Sequence, residues 1–183
     1  MTHPRGPSGP PGPVRNSMLW MGHEARRLHA AGRTVGRSWT LAQVCEHLAL
    51  AIEGTLSAPP SADPPASWRA LSTPARLKRC LMRTGLLLSG RFPDGVPAPD
   101  FVRPGADADL SRALARLDRA CEAFEARCRT PDSARARGSA PARPWPFHPL
   151  LGPMNAARWR RFHTLHARHH FSKMSRPASP DSP

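Results

Sequence analysis

The sequence lacks the features that mark several common classes of protein. No apolar run approaches the about 20 residues that a helix needs to span a bilayer, and the N-terminus has no apolar core of the kind that a secretory signal carries. No stretch alternates apolar and polar residues as a half-buried strand does. We therefore expect an all-α protein that is soluble, cytoplasmic and not associated with a membrane.

Cysteines are few and scattered. The chain has four cysteines, Cys45, Cys80, Cys121 and Cys128. No two of them have the CxxC spacing that is typical of zinc sites and redox motifs. All but Cys80 lie on or beside apolar helical stripes, where a free cysteine behaves as a small apolar residue. We expect buried free thiols, not disulfides or metal ligands, and hence a reducing compartment.

Acidic residues are also few, with 13 Asp and Glu against 27 Lys and Arg, so the formal net charge is +14. Clustered basic residues would favour nucleic-acid binding, because they release counterions from phosphate backbones. Here arginine outnumbers lysine 25 to 2 and is spread along the chain. No zinc finger, helix-turn-helix or aromatic-interleaved basic strand accompanies it, and a nucleic-acid-binding accessory protein is therefore the weakest interpretation of the sequence.

Both ends of the chain have little to bury in a core. Residues 1–15 are rich in proline and glycine, and residues 175–183 are equally poor in apolar side chains. Segments of this composition cannot bury enough apolar surface to offset the entropy lost on ordering. We predict disordered tails at 1–15 and 175–183 and one folded domain over residues 16–174.

Helical periodicity occurs in four segments of this domain, at 17–31, 38–55, 110–128 and 155–174. Ser38 and Asn155 are suitable N-caps, and Gly32 and Gly54 lie where helices would end. Residues 68–104 combine a short helical pattern with RFPDGVPAP, whose prolines and glycines cannot continue a helix. The pattern predicts four long helices with an irregular insertion between the second and the third, whose apolar run LMRTGLLL packs on the core.

The segment 110–128 has the most regular apolar pattern, with steps of 4, 3, 4, 3 and 4 residues. This spacing predicts a seam that faces the core of a bundle. The seam consists of Leu110, Leu114, Leu117, Cys121, Phe124 and Cys128. Glu122 and Glu125 fall beside it, and we expect them on the solvated face.

The segment 159–174, WRRFHTLHARHHFSKM, contains four histidines within eight residues. On an α-helix, His163, His166 and His170 share one face. His169 points elsewhere. Two imidazoles four residues apart can close on one metal ion. Histidines beside arginines and a lysine would also suit a basic surface, but the tryptophan on the shared face favours a buried site.

His47 lies at the margin of the apolar face of the second helical segment, where a lone histidine is more often a packed core residue than a ligand. The stretch around it, SWTLAQVCEHLA, occurs together with HPLLG and WRRFHTLHARHH. This combination resembles the DinB-like (YfiT-like) superfamily of metal-binding four-helix bundles, and within it a branch known only as a domain of unknown function. The resemblance covers residues 16–174.

The resemblance implies a four-helix bundle whose second helix supplies one histidine and whose last helix supplies a pair. Together these bind a divalent ion, with zinc or nickel expected. The matching positions are His47, His166 and His170. His163 matches no required position and is expected to be a neighbour of the ligands. We expect His169 to hydrogen-bond to another helix, and His148, in the preceding turn, to have a structural or ligand-supporting role.

Two functions from different classes follow. Three neutral imidazoles leave a divalent ion an open position for a water or a thiol, which fits a metal-dependent thiol transferase or hydrolase acting on a small electrophile with a low-molecular-weight thiol. No convincing general base is present, because Glu46 diverges from His47 by about 100° on the helix and is expected in solvent or paired with an arginine. The alternative is a non-catalytic bundle that binds a small molecule or forms a homodimer, with its histidines simply buried.

Overall fold

The computed structural model describes residues 17–36, 38–59, 70, 72–90, 92, 98–129, 145–148 and 151–177. Within these residues the protein is all-helical and has no strand beyond isolated bridges, so the all-α prediction is confirmed. The elements in chain order are α1 (Trp20–Ala30), α2 (Leu41–Ser57), α3 (Thr73–Ser89), a 3₁₀ turn (Asp100–Val102), α4 (Leu110–Arg129) and α5 (Ala156–Ser172). None of these helices is long and apolar enough to cross a membrane.

Helix α2 lies at the centre of the core. It contacts α1, α4 and α5, most extensively α4, while α1 also packs on α4 and α5. Most of the largest fully buried side chains come from these helices, among them Met21, Leu48 and Phe124. The two helices that carry the histidine motifs, α2 and α5, therefore meet inside the core.

A glycine inside α1 is explained by the contact of this helix with α4. Gly22 is buried, and a Cβ atom at this position would lie 2.0 Å from Oδ1 of Asp118. Asp118 is itself paired with Arg26, one turn further along α1, so a side chain here would displace an ion pair. The helix ends, as predicted, just before Gly32, whose φ of +70° lies in the left-handed region that favours glycine.

The N-cap of α2 is Thr40, not the predicted Ser38. The Thr40 hydroxyl accepts a hydrogen bond from the Gln43 N–H (3.3 Å), and the Gln43 side chain accepts one from the Thr40 N–H (3.0 Å). This capping box requires a glutamine or glutamate three residues after the cap, and only Thr40 has one in place. The helix also continues through Gly54, where the sequence predicted its end, as far as Ser57.

The segment between α2 and α4 is more regular than predicted. Helix α3 has 17 residues and packs against α5, so the insertion is not irregular throughout. Its apolar run packs only in part, because Leu86 is buried whereas Leu81 is more than half exposed. Most of the predicted loop RFPDGVPAP lies outside the described residues, apart from Phe92 and residues 98–99.

Helix α4 carries the predicted seam, with one correction beside it. Leu117, Cys121 and Phe124 are buried, and the other seam residues pack partly buried against the core. Glu122 is exposed as expected. Glu125 is not on a solvated face: its side chain is buried, accepts a hydrogen bond from the Met18 N–H (2.8 Å) and pairs with Arg160 of α5 (2.9 Å). These partners offset the cost of burying its charge. No pattern in the sequence predicts these contacts.

The cysteines are free thiols wherever the structure describes them. Cys45 and Cys121 are buried, as predicted, whereas Cys128 is only half-buried. The side chain of Cys80 lies outside the described residues. Burial raises the pKa of the Cys45 thiol to about 12 and also raises that of Cys121. Both thiols therefore stay protonated at neutral pH, and neither has the thiolate form that metals and electrophiles require.

Helix α5 begins after Asn155, as predicted, because the Asn155 side chain accepts a hydrogen bond from the Arg158 N–H (2.9 Å). Beyond its end, the chain pairs with the loop between α1 and α2. Ser175 and Val35 exchange backbone hydrogen bonds of 2.7 and 3.1 Å, and the Arg176 side chain donates to a carbonyl of the same loop. The hydrogen-bonded chain thus extends past residue 174, where the tail was predicted, while residues 1–16 and 178–183 lie outside the described part.

Candidate metal centre

Helices α2 and α5 bring three histidine side chains together. His47 on α2 faces His166 on α5 with 3.1 Å between their Nε2 atoms, and His170 places its Nε2 3.1 Å from the same His166 atom. One ring nitrogen of each lies within 4.8 Å of the others. We call these three side chains the histidine cluster. They are the three residues that the family resemblance implied as ligands. No carboxylate or thiol from the described part of the chain lies in this group.

A backbone carbonyl fixes the ring of His47. Its Nδ1–H donates to the carbonyl oxygen of Val102 over 2.7 Å, and Val102 ends the 3₁₀ turn that packs on α2. Because a neutral imidazole carries one ring proton, Nε2 keeps its lone pair and directs it at α5. Metal-binding histidines are commonly held by such a hydrogen bond on their other ring nitrogen.

The nitrogen contacts within the cluster are difficult to satisfy with protons alone. His166 Nε2 has a nitrogen at 3.1 Å on each side, and its buried Nδ1 has no hydrogen-bond partner among the described residues. Because His47 Nε2 carries no proton, at most one of the two contacts is a full hydrogen bond: His166 Nε2 either donates to one neighbour or holds a lone pair that faces the lone pair of His47. A cation satisfies both contacts. Two metal bonds of about 2.0–2.1 Å at a tetrahedral angle separate their nitrogens by about 3.3–3.4 Å, close to the observed spacing.

Burial keeps the three imidazoles neutral. It lowers the pKa of His47 and of His166, and it lowers the pKa of His170 to about 3. Repulsion between protonated rings adds to this effect at His166 and His170, whereas the hydrogen bond to Val102 opposes it at His47. The neutral imidazole is the form that binds metal. At neutral pH the cluster therefore needs to lose no proton before an ion binds.

Two aromatic rings enclose the histidine cluster. Trp39, directly before the cap of α2, lies over His47 and His170, with ring centroids 4.6 and 5.7 Å apart. Phe92 stacks on His166 with centroids 5.0 Å apart. His47 and His166 are buried, whereas His170 is partly exposed, so the cluster is accessible from the side of His170.

The sequence did not identify all of these neighbours. Trp39 lies in the stretch SWTLAQVCEHLA, which was the only part of the sequence that pointed to one of these neighbours. Phe92 and Val102 belong to the proline-rich segment between α2 and α4, which was predicted to be an irregular insertion. The structure instead places parts of this segment against the cluster, where they orient one imidazole and cover another.

His163 shares a face of α5 with His166 and His170 but makes a different contact. Its Nε2 lies 3.1 Å from the hydroxyl oxygen of Thr55, whose own proton is donated to the carbonyl of Ala51 (3.0 Å). His163 Nε2 must therefore hold the proton of that contact. This contact engages Nε2 with Thr55, and His163 is not among the three histidines whose ring nitrogens converge.

The two remaining motif histidines make contacts at the edges of α5. His169 accepts a hydrogen bond from Nζ of Lys173, one turn further along (3.0 Å). His148 accepts one from the Leu151 N–H (3.2 Å) and exchanges backbone hydrogen bonds with Gly152, whose φ is +81°. His148 therefore pairs with Gly152 just before α5, which fits the structural role expected for it.

Glu46, the acidic residue next to His47, is engaged outside the cluster. Its carboxylate accepts a hydrogen bond from the Gly105 N–H (3.0 Å) and lies 3.6 Å from the guanidinium of Arg116. The predicted pairing with an arginine is confirmed. Glu46 consequently supplies no general base to the three histidines.

Comparison with known proteins gives a family and no characterised relative. One family model, described as a protein of unknown function (DUF1569), matches residues 17–177, a range that includes the five helices described above and the histidine cluster. No curated protein and no solved structure matches the chain. A functional assignment therefore rests on the geometry of the site.

Proposed function

The chain belongs to the DUF1569 family, and we propose that it binds one divalent metal ion, zinc or nickel, through His47, His166 and His170. The observation that carries the proposal is the 3.1 Å spacing of Nε2 atoms on both sides of His166. The tautomer that Val102 imposes on His47 and the neutral state of the buried rings support it.

We also assign the core to the DinB-like type of four-helix bundle. On this assignment the four bundle helices are α1, α2, α4 and α5, and α3 belongs to an insertion. The supporting observation is the distribution of the cluster, with one histidine on the second bundle helix and a pair four residues apart on the last.

The arrangement suits chemistry on a small electrophile. A divalent ion held by three imidazoles is a Lewis acid that lowers the pKa of a water or thiol at its open position. The contribution of the protein is to keep the imidazoles neutral, to orient His47 through Val102 and to cover the rings with Trp39 and Phe92. The activity we assign is a thiol transfer, with a low-molecular-weight thiol as co-substrate.

The composition of the cluster distinguishes between hydrolysis and a non-catalytic role. Hydrolases place a general base within hydrogen-bond reach of the attacking group, and no carboxylate of the described residues lies in the cluster. This observation argues against hydrolysis and favours a non-catalytic, metal-stabilised bundle as the second candidate. It argues less against thiol transfer, because a thiol whose pKa is lowered ionises without a base.

Elemental analysis of protein purified without added metal tests the proposal. We expect about one zinc or nickel ion per chain, as three histidine ligands can hold one ion. His170→Ala should lose this ion and His163→Ala, on the same helix face, should retain it. Wild-type protein that carries no stoichiometric ion and does not take up added Zn²⁺ would contradict metal binding. Metal-loaded protein that fails to accelerate the displacement of halide from a halonitrobenzene by a thiol would leave the non-catalytic bundle as the assignment.

A further inference from the structure

A cavity lies directly beside the histidine cluster. Its volume is about 330 Å³, and it lies between the end of α3 with Phe92 on one side and α5 on the other. This volume is at the lower end of the range of about 300–1,000 Å³ that small-molecule sites occupy. The cavity is therefore large enough for a small organic compound.

One layer of aromatic rings separates the cavity from the cluster. Phe92 lines the cavity and stacks on His166, with ring centroids 5.0 Å apart and planes at 23°. His169 also lines it, and its ring lies 5.4 Å from that of His170. A molecule in the cavity would thus lie next to the rings that face the candidate ion.

Among the described residues that line this cavity, two are basic and none is acidic. Arg168 and Lys173 both line it, and they contribute a guanidinium and an ammonium group. The carboxyl end of α5 adds a partial negative charge of about half a unit, which is smaller than the two full positive charges. Phe92 and Leu165 supply apolar wall, so the cavity combines cations with apolar surface.

A larger cavity of about 470 Å³ elsewhere in the protein lacks this character. Its lining includes Glu46, Asp109, Arg112 and Arg116. The opposite charges are already paired, with 3.6 Å between Arg112 and Asp109 and 3.6 Å between Arg116 and Glu46. Two of its three arginines are therefore paired with acidic residues of the same lining, and size alone does not make it a better anion site.

We propose that the cavity beside the histidine cluster binds the acid group of a small organic anion, a carboxylate or phosphate joined to an apolar body, which is the substrate class of the metal centre. The proposal rests on the proposed metal binding. Arg168 and Lys173 attract the acid group, and Phe92 and Leu165 contact the apolar body. No protonation of His169 is required, because the two permanent cations suffice.

Ligand-observed NMR titration of the full-length protein tests the cavity with matched probes. Benzoate and phenyl phosphate carry the charge, and benzyl alcohol has the same ring without it. We expect at least one of the anions to bind at least about tenfold more tightly than the alcohol, since a hydrogen bond to a charged group contributes about 1.5–3 kcal/mol. The double variant Arg168→Gln/Lys173→Gln should lose that preference. Arg158→Gln removes an exposed charge at the other end of α5 and should bind as the wild type does.

The metal dependence of binding separates this proposal from the proposed function. The titration is run on chelator-treated and Zn²⁺-loaded protein, so anion binding can be measured even if no ion binds. In Co²⁺-loaded protein the unpaired electrons should broaden the signals of the bound anion more than Zn²⁺ does. Anions that bind no better than benzyl alcohol, or equally well to the folded double variant, overturn the cavity assignment. Binding to the cavity with no cobalt broadening, in protein shown to hold cobalt, overturns its link to the metal centre.

Discussion

Single protons distinguish histidines that are alike in sequence. His47 donates its Nδ1 proton to Val102 and so presents a lone pair at Nε2. His163 holds its proton at Nε2, where Thr55 accepts it. Both rings are buried, and burial alone would not have told them apart. The role of each histidine follows from its hydrogen-bond partner.

The contact of His163 with Thr55 predicts a variant that separates stability from metal binding. His163→Ala removes a fully buried ring and should lower the free energy of unfolding by about 2–4 kcal/mol, because the core cannot fill the space. It should leave the metal content unchanged, because His163 is not among the three histidines whose ring nitrogens converge. Urea unfolding and elemental analysis of one preparation measure both, and loss of the metal at unchanged stability would reverse the assignment.

Glu125 is a second residue whose contribution can be measured. Glu125→Ala leaves the Met18 N–H and the Arg160 guanidinium without their acceptor. We expect a loss of about 1–3 kcal/mol in the free energy of unfolding, moderated because Arg160 is partly exposed to solvent. Glu122→Ala, three residues earlier on the same helix and exposed, should change it by less than about 0.5 kcal/mol. Equal effects of the two variants would contradict the buried ion pair.

At the scale of elements, the start of α2 links helix stability to the site. Thr40 caps the helix, and Trp39, one residue earlier, covers two rings of the cluster. The loop that carries Trp39 is in turn paired with the chain after α5 through Val35 and Ser175. The position of Trp39 over His47 and His170 therefore depends on both helices.

Thr40→Ala should lower the free energy of unfolding by about 0.5–2 kcal/mol, because it removes the acceptor of the Gln43 N–H. Ser38→Ala should change it by less than about 0.5 kcal/mol, since Ser38 is exposed and is not the cap. Thermal or urea unfolding of both variants makes the comparison. A larger effect of Ser38→Ala would restore the cap that the sequence pattern predicted.

At the scale of the whole molecule, buried neutral histidines should make the fold sensitive to acid. Burial lowers the pKa of His148 to about 4 and that of His163 to about 3, below the 6.5 that each regains on unfolding. Below pH 6.5 the unfolded chain therefore binds more protons than the native one. The free energy of unfolding should fall as the pH falls, by up to about 1.4 kcal/mol per pH unit for each histidine.

Urea unfolding of chelator-treated protein at about pH 7.5 and about pH 5 measures this dependence, above the range in which most carboxylates titrate. The slope should be smaller in His163→Ala, which has one fewer buried ring. Stability that stays constant between the two pH values would show that these histidines are already protonated, or already solvated, in the native protein.

The predictable parts of the fold and the site are those with local signals. The seam of α4 and the Asn155 cap of α5 each follow from residues within a few turns. The pairing of His166 with His170 needs only the pitch of a helix. Glu125 was misassigned because its partner Met18 lies 107 positions away, and Val102 was missed because it lies 55 positions from His47. Such contacts leave no periodic pattern in the sequence.

Residues one turn apart on a helix lie next to each other regardless of how the rest of the chain packs. Local sequence was therefore sufficient to predict the all-helical class and the pair of histidines four residues apart. The family resemblance proposed His47 as the third member, but its meeting with His166, 119 positions away, is a property of helix packing. Packing also selects the proton position of each ring and its pKa, because both depend on which groups lie across the interface and on how far water is excluded. The chemistry of this site therefore depends on contacts between helices. Local sequence patterns identify the histidines, but they do not show which groups lie opposite them.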